Sequence, residues 1–292
     1  MKENLRDYIH KQRPHLADSS INTYVSIITN LFKKMNGTGD IIDFFKKNVK
    51  EVLEYLKDKD GKLRKTQLAS LVTLTGDPKY RELMIEDAVK YNDGLKDQKM
   101  TDKQRDNWMS FADVKKTYDH LFKSQNHLFT KEHLTKNEMM KLMDLVLLSL
   151  YVLIPPRRNQ DYTLMKIKNY NPETDNYWFK NKFYFNQYKT KKEYHEQVIT
   201  IPPKLRTILN KWTKINPTDY LLFDRSMKRL SSPQLTRRLN LIFGKNISTS
   251  MLRHIFISDK VLKATPALRK LEEVAREMGH NTGTQALYRK IK

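Results

Sequence analysis

The sequence predicts a mainly α-helical protein with a small antiparallel β-sheet, an α+β chain in two domains. Three observations carry that expectation. Apolar residues recur at helical spacing through the first third of the chain. Residues 177 to 201 are instead rich in aromatic and β-branched side chains, which suit strands. Between these regions lies a polar stretch, residues 94 to 107, with charges of both signs. The expected organisation is a helical domain at 1–93, a linker at 94–107 and a second domain at 108–292.

In the first domain Ser19 or Ser20 can cap a helix whose Ile21, Tyr24, Ile27, Ile28, Leu31 and Phe32 lie on one side. Gly37-Thr38-Gly39 breaks the chain after it. A second helix is expected over 41 to 56, with Val49, Val52, Leu53 and Leu56 apolar, and Asp60-Gly61 breaks it. Residues 64 to 73 and 80 to 89 read as two more helices.

Trp108 and Phe111 begin the first helix of the second domain. The run from 142 to 154 is mostly apolar; at about 13 residues it is too short to span a bilayer and reads as a buried core helix. Pro155 and Pro156 stop it. Tyr177-Trp178-Phe179 and Phe183-Tyr184-Phe185 read as strands around the turn-prone Asn181, and Val198-Ile199-Thr200-Ile201 as a third ended by Pro202. Lys189-Thr190-Lys191-Lys192 reads as a turn between the last two. Pro203, Pro233 and Pro266 fall where helices should begin, and Gly244 and Gly279 where they should end. Ser248 or Thr249 can cap a helix with an apolar stripe of Met251, Leu252, Ile255, Phe256, Val261 and Leu262.

Composition narrows the partners. The 292 residues hold 55 basic and 33 acidic side chains, a formal net charge of +22. Nucleic acid is the natural partner of such a surface, although charge alone also fits a ribosomal or RNA-binding protein. With no cysteine, disulfides and thiolate metal sites are excluded. Eight histidines without an H-E-x-x-H pattern give no sign of zinc, and no glycine-rich phosphate loop points to ATP. The start, Met1-Lys2-Glu3-Asn4, has no apolar signal region. The expectation is therefore a protein without cofactor, metal or membrane span.

The chemistry-bearing residues are cations and one late tyrosine. Arg157-Arg158 follow the core helix, with Asp161 three residues beyond Arg158. Lys189 and Lys191 sit on the expected turn. Ser250 and Arg253 share a face at the start of a helix, where unpaired N–H groups favour an anion, and His254 follows. Met278-Gly279-His280 precedes Tyr288, which is followed by Arg289. Arginine suits a phosphoryl transition state, because its planar fork grips two oxygens and keeps its proton. Tyrosine, with an ordinary pKa near 10, becomes a nucleophile only with cations and a proton acceptor beside it. Taken singly, each group has a blander reading: Arg253 as a surface arginine, His254 as a core or supporting histidine, and the lysines as a solvated turn. Arg237 and Arg238 are phosphate contacts or a solvated face.

In this order the residues resemble the tyrosine recombinase family of the phage-integrase type. That pattern runs from an arginine with an acid three residues later, through a hairpin lysine, H-x-L-R-H and L-G-H, to a tyrosine in a last helix. The chain offers Arg158 with Asp161, Lys189, Leu252-Arg253-His254, Met278-Gly279-His280 and Tyr288, over roughly residues 108 to 292. The helical first domain resembles in pattern the core-binding domain that precedes the family's catalytic domain.

The resemblance implies a site-specific recombinase or integrase that cleaves and rejoins double-stranded DNA through a 3′-phosphotyrosyl intermediate, without metal or ATP. Tyr288 would be the nucleophile, Arg158 and Arg253 the phosphate clamps, Lys189 the acid for the leaving oxygen, with Lys191 second, and His280 a hydrogen-bonding partner of phosphate or tyrosine. Arg157, Arg237, Arg238 and Arg289 would contact DNA. Homotetramers on paired sites would be the working form. Two departures stand out. Ser250 occupies the first histidine of H-x-L-R-H, so the family's candidate proton acceptor is replaced by a group that only hydrogen-bonds. The chain also ends at Lys292, which leaves little room for the further C-terminal helix that many members dock on the next protomer. The alternatives are a type IB topoisomerase-like DNA relaxase and a catalytically inactive basic DNA-binding protein. A Lys, Asn, Ile and Tyr bias hints at an AT-rich viral or mobile-element source, and localisation would follow the DNA, in host nucleus or cytoplasm.

Overall fold

The computed structural model describes residues 2–96, 99–189, 191 and 195–261. It is mainly helical with one small sheet, and the chain divides into two compact units, Met1–Met100 and Thr101–Lys292.

The first unit contains helices α1 (Lys2–Gln12), α2 (Asp18–Lys34), α3 (Ile41–Lys47), α4 (Val49–Leu56), α5 (Gly61–Thr75) and α6 (Pro78–Lys96). Helix α2 buries Ile21, Val25, Ile28, Leu31 and Phe32 at helical spacing. Its N-cap is Ala17, without a side-chain bond, rather than Ser19 or Ser20. The single helix expected over 41 to 56 is two. Asn48 leaves helical geometry (φ −104°, ψ 38°), and its backbone N–H and its Nδ2 both donate to the Phe44 carbonyl, at 3.0 and 2.9 Å, which closes the end of α3. The Asp60-Gly61 break is also a beginning. Asp60 Oδ1 accepts from the Lys62 and Leu63 N–H groups at 3.0 and 3.2 Å and so caps α5. Ile9, Ile21, Ile28, Phe45, Val52, Leu56, Leu68 and Leu71 fill the core. Within it Tyr80 donates its hydroxyl to the Phe45 carbonyl at 2.9 Å. Arg64 grips Asp87 with two parallel bonds, Nε to Oδ2 at 2.8 Å and Nη2 to Oδ1 at 2.7 Å.

The stretch expected to be a linker is partly helical. Helix α6 runs on to Lys96, and α7 (Asp102–Asn107) follows, closed by a capping box between Thr101 and Gln104. Then come α8 (Phe111–Gln125), capped by Ser110, a 3₁₀ turn at Asn126–Thr130, and α9 (Lys136–Val152). Trp108 lies outside α8, at the end of α7. Helix α9 is the spine of the second unit, with ten buried residues from Met140 to Tyr151. Among the described residues no helix is long and apolar enough to cross a membrane.

After α10 (Asn159–Thr163) come strands β1 (Met165–Lys166), β2 (Asn176–Phe179), β3 (Lys182–Phe185) and β4 (Gln197–Thr200). They form one sheet in the order β1-β2-β3-β4. The pairs β2–β3 and β3–β4 are antiparallel, but β1 lies parallel to β2, so the sheet is mixed rather than purely antiparallel. The chain returns to β2 through a loop that Asp175 holds, bound to Lys166 Nζ at 2.8 Å and to the Asn171 N–H at 2.8 Å. Asn176 fixes where β2 starts: its Nδ2 donates to the Asp161 and Gln187 carbonyls, and its Oδ1 accepts from the Asn186 and Gln187 N–H groups. Phe183 and Phe185 point into the core. On the opposite face Tyr170, Tyr177 and Tyr184 stack in a row, with centroids 4.4 and 4.5 Å apart and planes within 8° of parallel.

Helices α11 (Pro203–Ile215), α12 (Ser232–Phe243) and α13 (Thr249–Phe256) complete the second unit, with a π-helical turn at Ile257–Val261. Pro203 and Pro233 sit at helix starts, and Gly244 ends α12 in the left-handed region at φ 63°, as their residue types predict. Pro266 and Gly279 lie outside the described residues.

Candidate active site

Two helix starts bring the site together. Pro155 and Pro156 end the chain's run from α9, and Arg158 follows in extended geometry (φ −72°, ψ 153°) as the N-cap residue of α10, its carbonyl accepting from the Asp161 N–H at 3.1 Å. Ser248 caps α13 by accepting from the Met251 N–H at 3.2 Å, and Arg253 stands one turn further on. The buried Thr249 donates its hydroxyl to Asn159 Oδ1 at 2.9 Å, which joins the start of α13 to the residue after Arg158. Asn159 Nδ2 reaches the Ser232 carbonyl of α12 at 3.5 Å.

Arg158 and Arg253, 95 positions apart in sequence, thus line one recess of about 200 Å³ together with Pro156, Arg157, Asp161, Tyr188 and Gln197. Both arginines are half-buried. Asp161 is 2% exposed, with Oδ2 bound to Arg157 and Oδ1 unpartnered among the described residues. Burial pushes its carboxyl above the ordinary range, against the pull of Arg157, Arg158 and Arg253. Such a recess presents fixed positive charge over a largely desolvated floor, which suits an oxyanion.

The other expected site residues divide. Lys189 and Lys191 are exposed on the turn, and Lys189 directly follows Tyr188, whose ring lines the recess and whose hydroxyl donates to the His195 carbonyl at 2.6 Å. Ser250 is exposed in the first turn of α13. His254 is exposed as well, not a core histidine. Arg237 is exposed on α12 and available to a ligand. Its neighbour Arg238 is not. It binds Asp144 of α9 through both Nε, at 2.7 Å, and Nη2, so the expected phosphate contact is an internal ion pair. Burial nonetheless pushes the Asp144 carboxyl up. Arg157 likewise bonds within the protein, to Asp161 at 2.8 Å and to Gln197 Oε1 at 3.0 Å, while it also lines the recess. Tyr162, next to Asp161, is fully buried with its hydroxyl on the Leu150 carbonyl, and burial pushes its phenol up. Tyr184 belongs to the tyrosine row on the sheet. Thr190, Lys192, Tyr194, His280, Tyr288 and Arg289 lie outside the described residues.

Asn159, Thr249 and Gln197 were not legible as site residues. Asn159 had a signal, being adjacent to Arg158, and Thr249 stood at a helix start. Gln197 had none, because its place opposite Arg157 depends on the register of β3 with β4. Among the described residues no cluster of His, Asp and Glu could hold a metal ion. No protein-family model, no curated protein and no solved structure matches the chain.

Proposed function

We propose that this chain breaks and rejoins DNA strands in the manner of a tyrosine recombinase, with a DNA-binding helical domain preceding the catalytic one. The observation that carries the reading is the convergence of Arg158 and Arg253 on one recess. The two motifs that contain them are far apart in sequence and match the family's order. In this reading a phosphodiester of duplex DNA seats its non-bridging oxygens on the two guanidinium groups. Tyr288 Oη attacks phosphorus, the bond from phosphorus to the 5′ oxygen breaks, and Lys189 supplies the proton that the leaving oxygen takes up. The phenol proton passes to water or to His280. The strand is then held as a 3′-phosphotyrosyl ester, which conserves the bond energy, and a 5′ hydroxyl from a partner strand reverses the step. Neither metal nor ATP enters. Exchange between two duplexes requires several protomers on paired sites, a tetramer.

The test is a nicked suicide substrate, whose short 5′ fragment diffuses away and traps covalent protein. The wild-type chain should form the adduct in EDTA, and Tyr288→Phe should form none while binding DNA almost as tightly, because affinity comes from the basic surface. Undiminished adduct in Tyr288→Phe would sink the assignment. Relaxation of supercoils without site preference would move the reading to a type IB topoisomerase, and absence of any adduct to a DNA-binding protein without catalysis.

A further inference from the structure

The turn that carries Arg158 has little backbone support of its own. Pro155 and Pro156 contribute no N–H donors and keep the chain out of helix. Arg157 supplies what the backbone lacks. Its Nε donates to Asp161 Oδ2 of α10 at 2.8 Å, and its Nη1 to Gln197 Oε1 of β4 at 3.0 Å. Its guanidinium lies 3.8 Å over the buried Phe185 ring of β3 and 5.6 Å from that of Tyr188. One side chain, 15% exposed, therefore ties the turn to a helix, two strands and the segment leading to Lys189. Asp161, three residues after Arg158, bonds to Arg157 and not to Arg158.

We propose that Arg157 is a positioning residue, which transfers the rigidity of the sheet to Arg158 and so sets where that guanidinium sits in the recess. The inference deepens the recombinase reading and rests on it for its kinetic consequence. Lysine cannot take the part. It lacks a planar fork that bonds in two directions while lying flat on an aromatic ring.

Three variants of the full chain test the idea: Arg157→Lys, Arg157→Met and Gln197→Leu, the last leaving the pair with Asp161 intact. In the free protein, ¹⁵N relaxation at Arg158 Nε should report greater mobility in all three, with Arg253 unchanged. Cleavage of the suicide substrate in a single turnover should slow by roughly 10- to 100-fold, the order expected when a catalytic group is displaced. The dependence of DNA affinity on salt should stay at the wild-type slope. A slope shallower by about 0.9 in Arg157→Met alone would make Arg157 a phosphate contact and overturn the proposal. So would full activity in Arg157→Lys, which would mean that charge alone matters, or unchanged Arg158 relaxation in Gln197→Leu. If the wild-type chain forms no adduct, the recombinase reading fails, and the relaxation data still decide whether Arg157 positions Arg158.

Discussion

Ser250 and Arg253 stand three residues apart near the start of α13, and they should weigh very differently in catalysis. Arg253 lines the recess, so in the recombinase reading Arg253→Ala would remove charge aimed at the transition state, on the order of 10²-fold or more in rate. Ser250 is exposed and offers one neutral hydrogen bond, worth about 0.5–1.5 kcal/mol. Single-turnover cleavage by the two alanine variants should separate them clearly, and equal losses would mean that Ser250 carries a larger part. In the first unit the residue to test is Arg64. Arg64→Met strands the Asp87 carboxylate, 3% exposed, and should cost about 3–5 kcal/mol in urea unfolding, whereas Arg64→Met with Asp87→Leu should recover much of it. Arg64 holds the Asp87 carboxyl below the ordinary range. A lowered folded value means that the pair's contribution is whole above the unfolded carboxyl's pKa and fades as pH falls through the folded one. Wild-type stability should therefore drop in acid with a term that the double variant lacks. At this scale the sequence was legible where a motif fixed the neighbours, as at Arg158 and Arg253. It was not legible at Arg238, because nothing local says that its helix face meets Asp144 from 94 positions away.

Among the described elements of the second unit, α9 contributes the most buried residues, and its start is closed by a capping box. Thr135 Oγ1 accepts from the Glu138 N–H at 3.3 Å, while Glu138 Oε2 accepts from the Thr135 N–H at 2.9 Å. Thr135→Ala should cost about 1 kcal/mol, read from the urea midpoint. Lys131 beside the box, with the two Thr135 bonds, lowers the Glu138 carboxyl to about 2. The box should thus hold above the ordinary glutamate range and weaken only as pH falls through about 2, which an NMR titration of Glu138 would follow. Helices with a long apolar face, and ends marked by Pro or Gly, could be read in advance. The break at Asn48 could not, since apolar spacing continues across it. Helix α7 has no buried residue and so left no apolar signal, and β1 is too short for an alternating pattern. The parallel pairing of β1 comes from Asp175 and Asn176, whose bonds only exist once the loop has closed.

For the whole molecule, the count of 55 basic side chains overstates the cations that can meet a phosphate, whereas the net charge of +22 already discounts internal ion pairs. Arg64, Arg157 and Arg238 each bond to a buried or half-buried carboxylate of the same chain. Duplex binding should still weaken steeply with salt, with a slope of log K against log salt of about −0.9 for each phosphate contacted. Arg237→Ala should make that slope shallower by about 0.9, whereas Arg238→Ala should leave it unchanged and lower stability instead. A slope near zero in the wild-type chain would argue against DNA as the partner. Composition raises the expectation of a polyanionic partner, and the folded chain says which arginines are left outside internal ion pairs.

The row of Tyr170, Tyr177 and Tyr184 has an optical consequence. Near-parallel phenol rings at 4.4 and 4.5 Å are close enough for their near-ultraviolet transition dipoles to couple in a chiral array. The sheet therefore carries its own circular-dichroism chromophore, one that exists only while β2 and β3 keep register. Since β4 pairs with β3 and supplies Gln197, that intrinsic signal offers a label-free reporter on the scaffold beneath the two arginines.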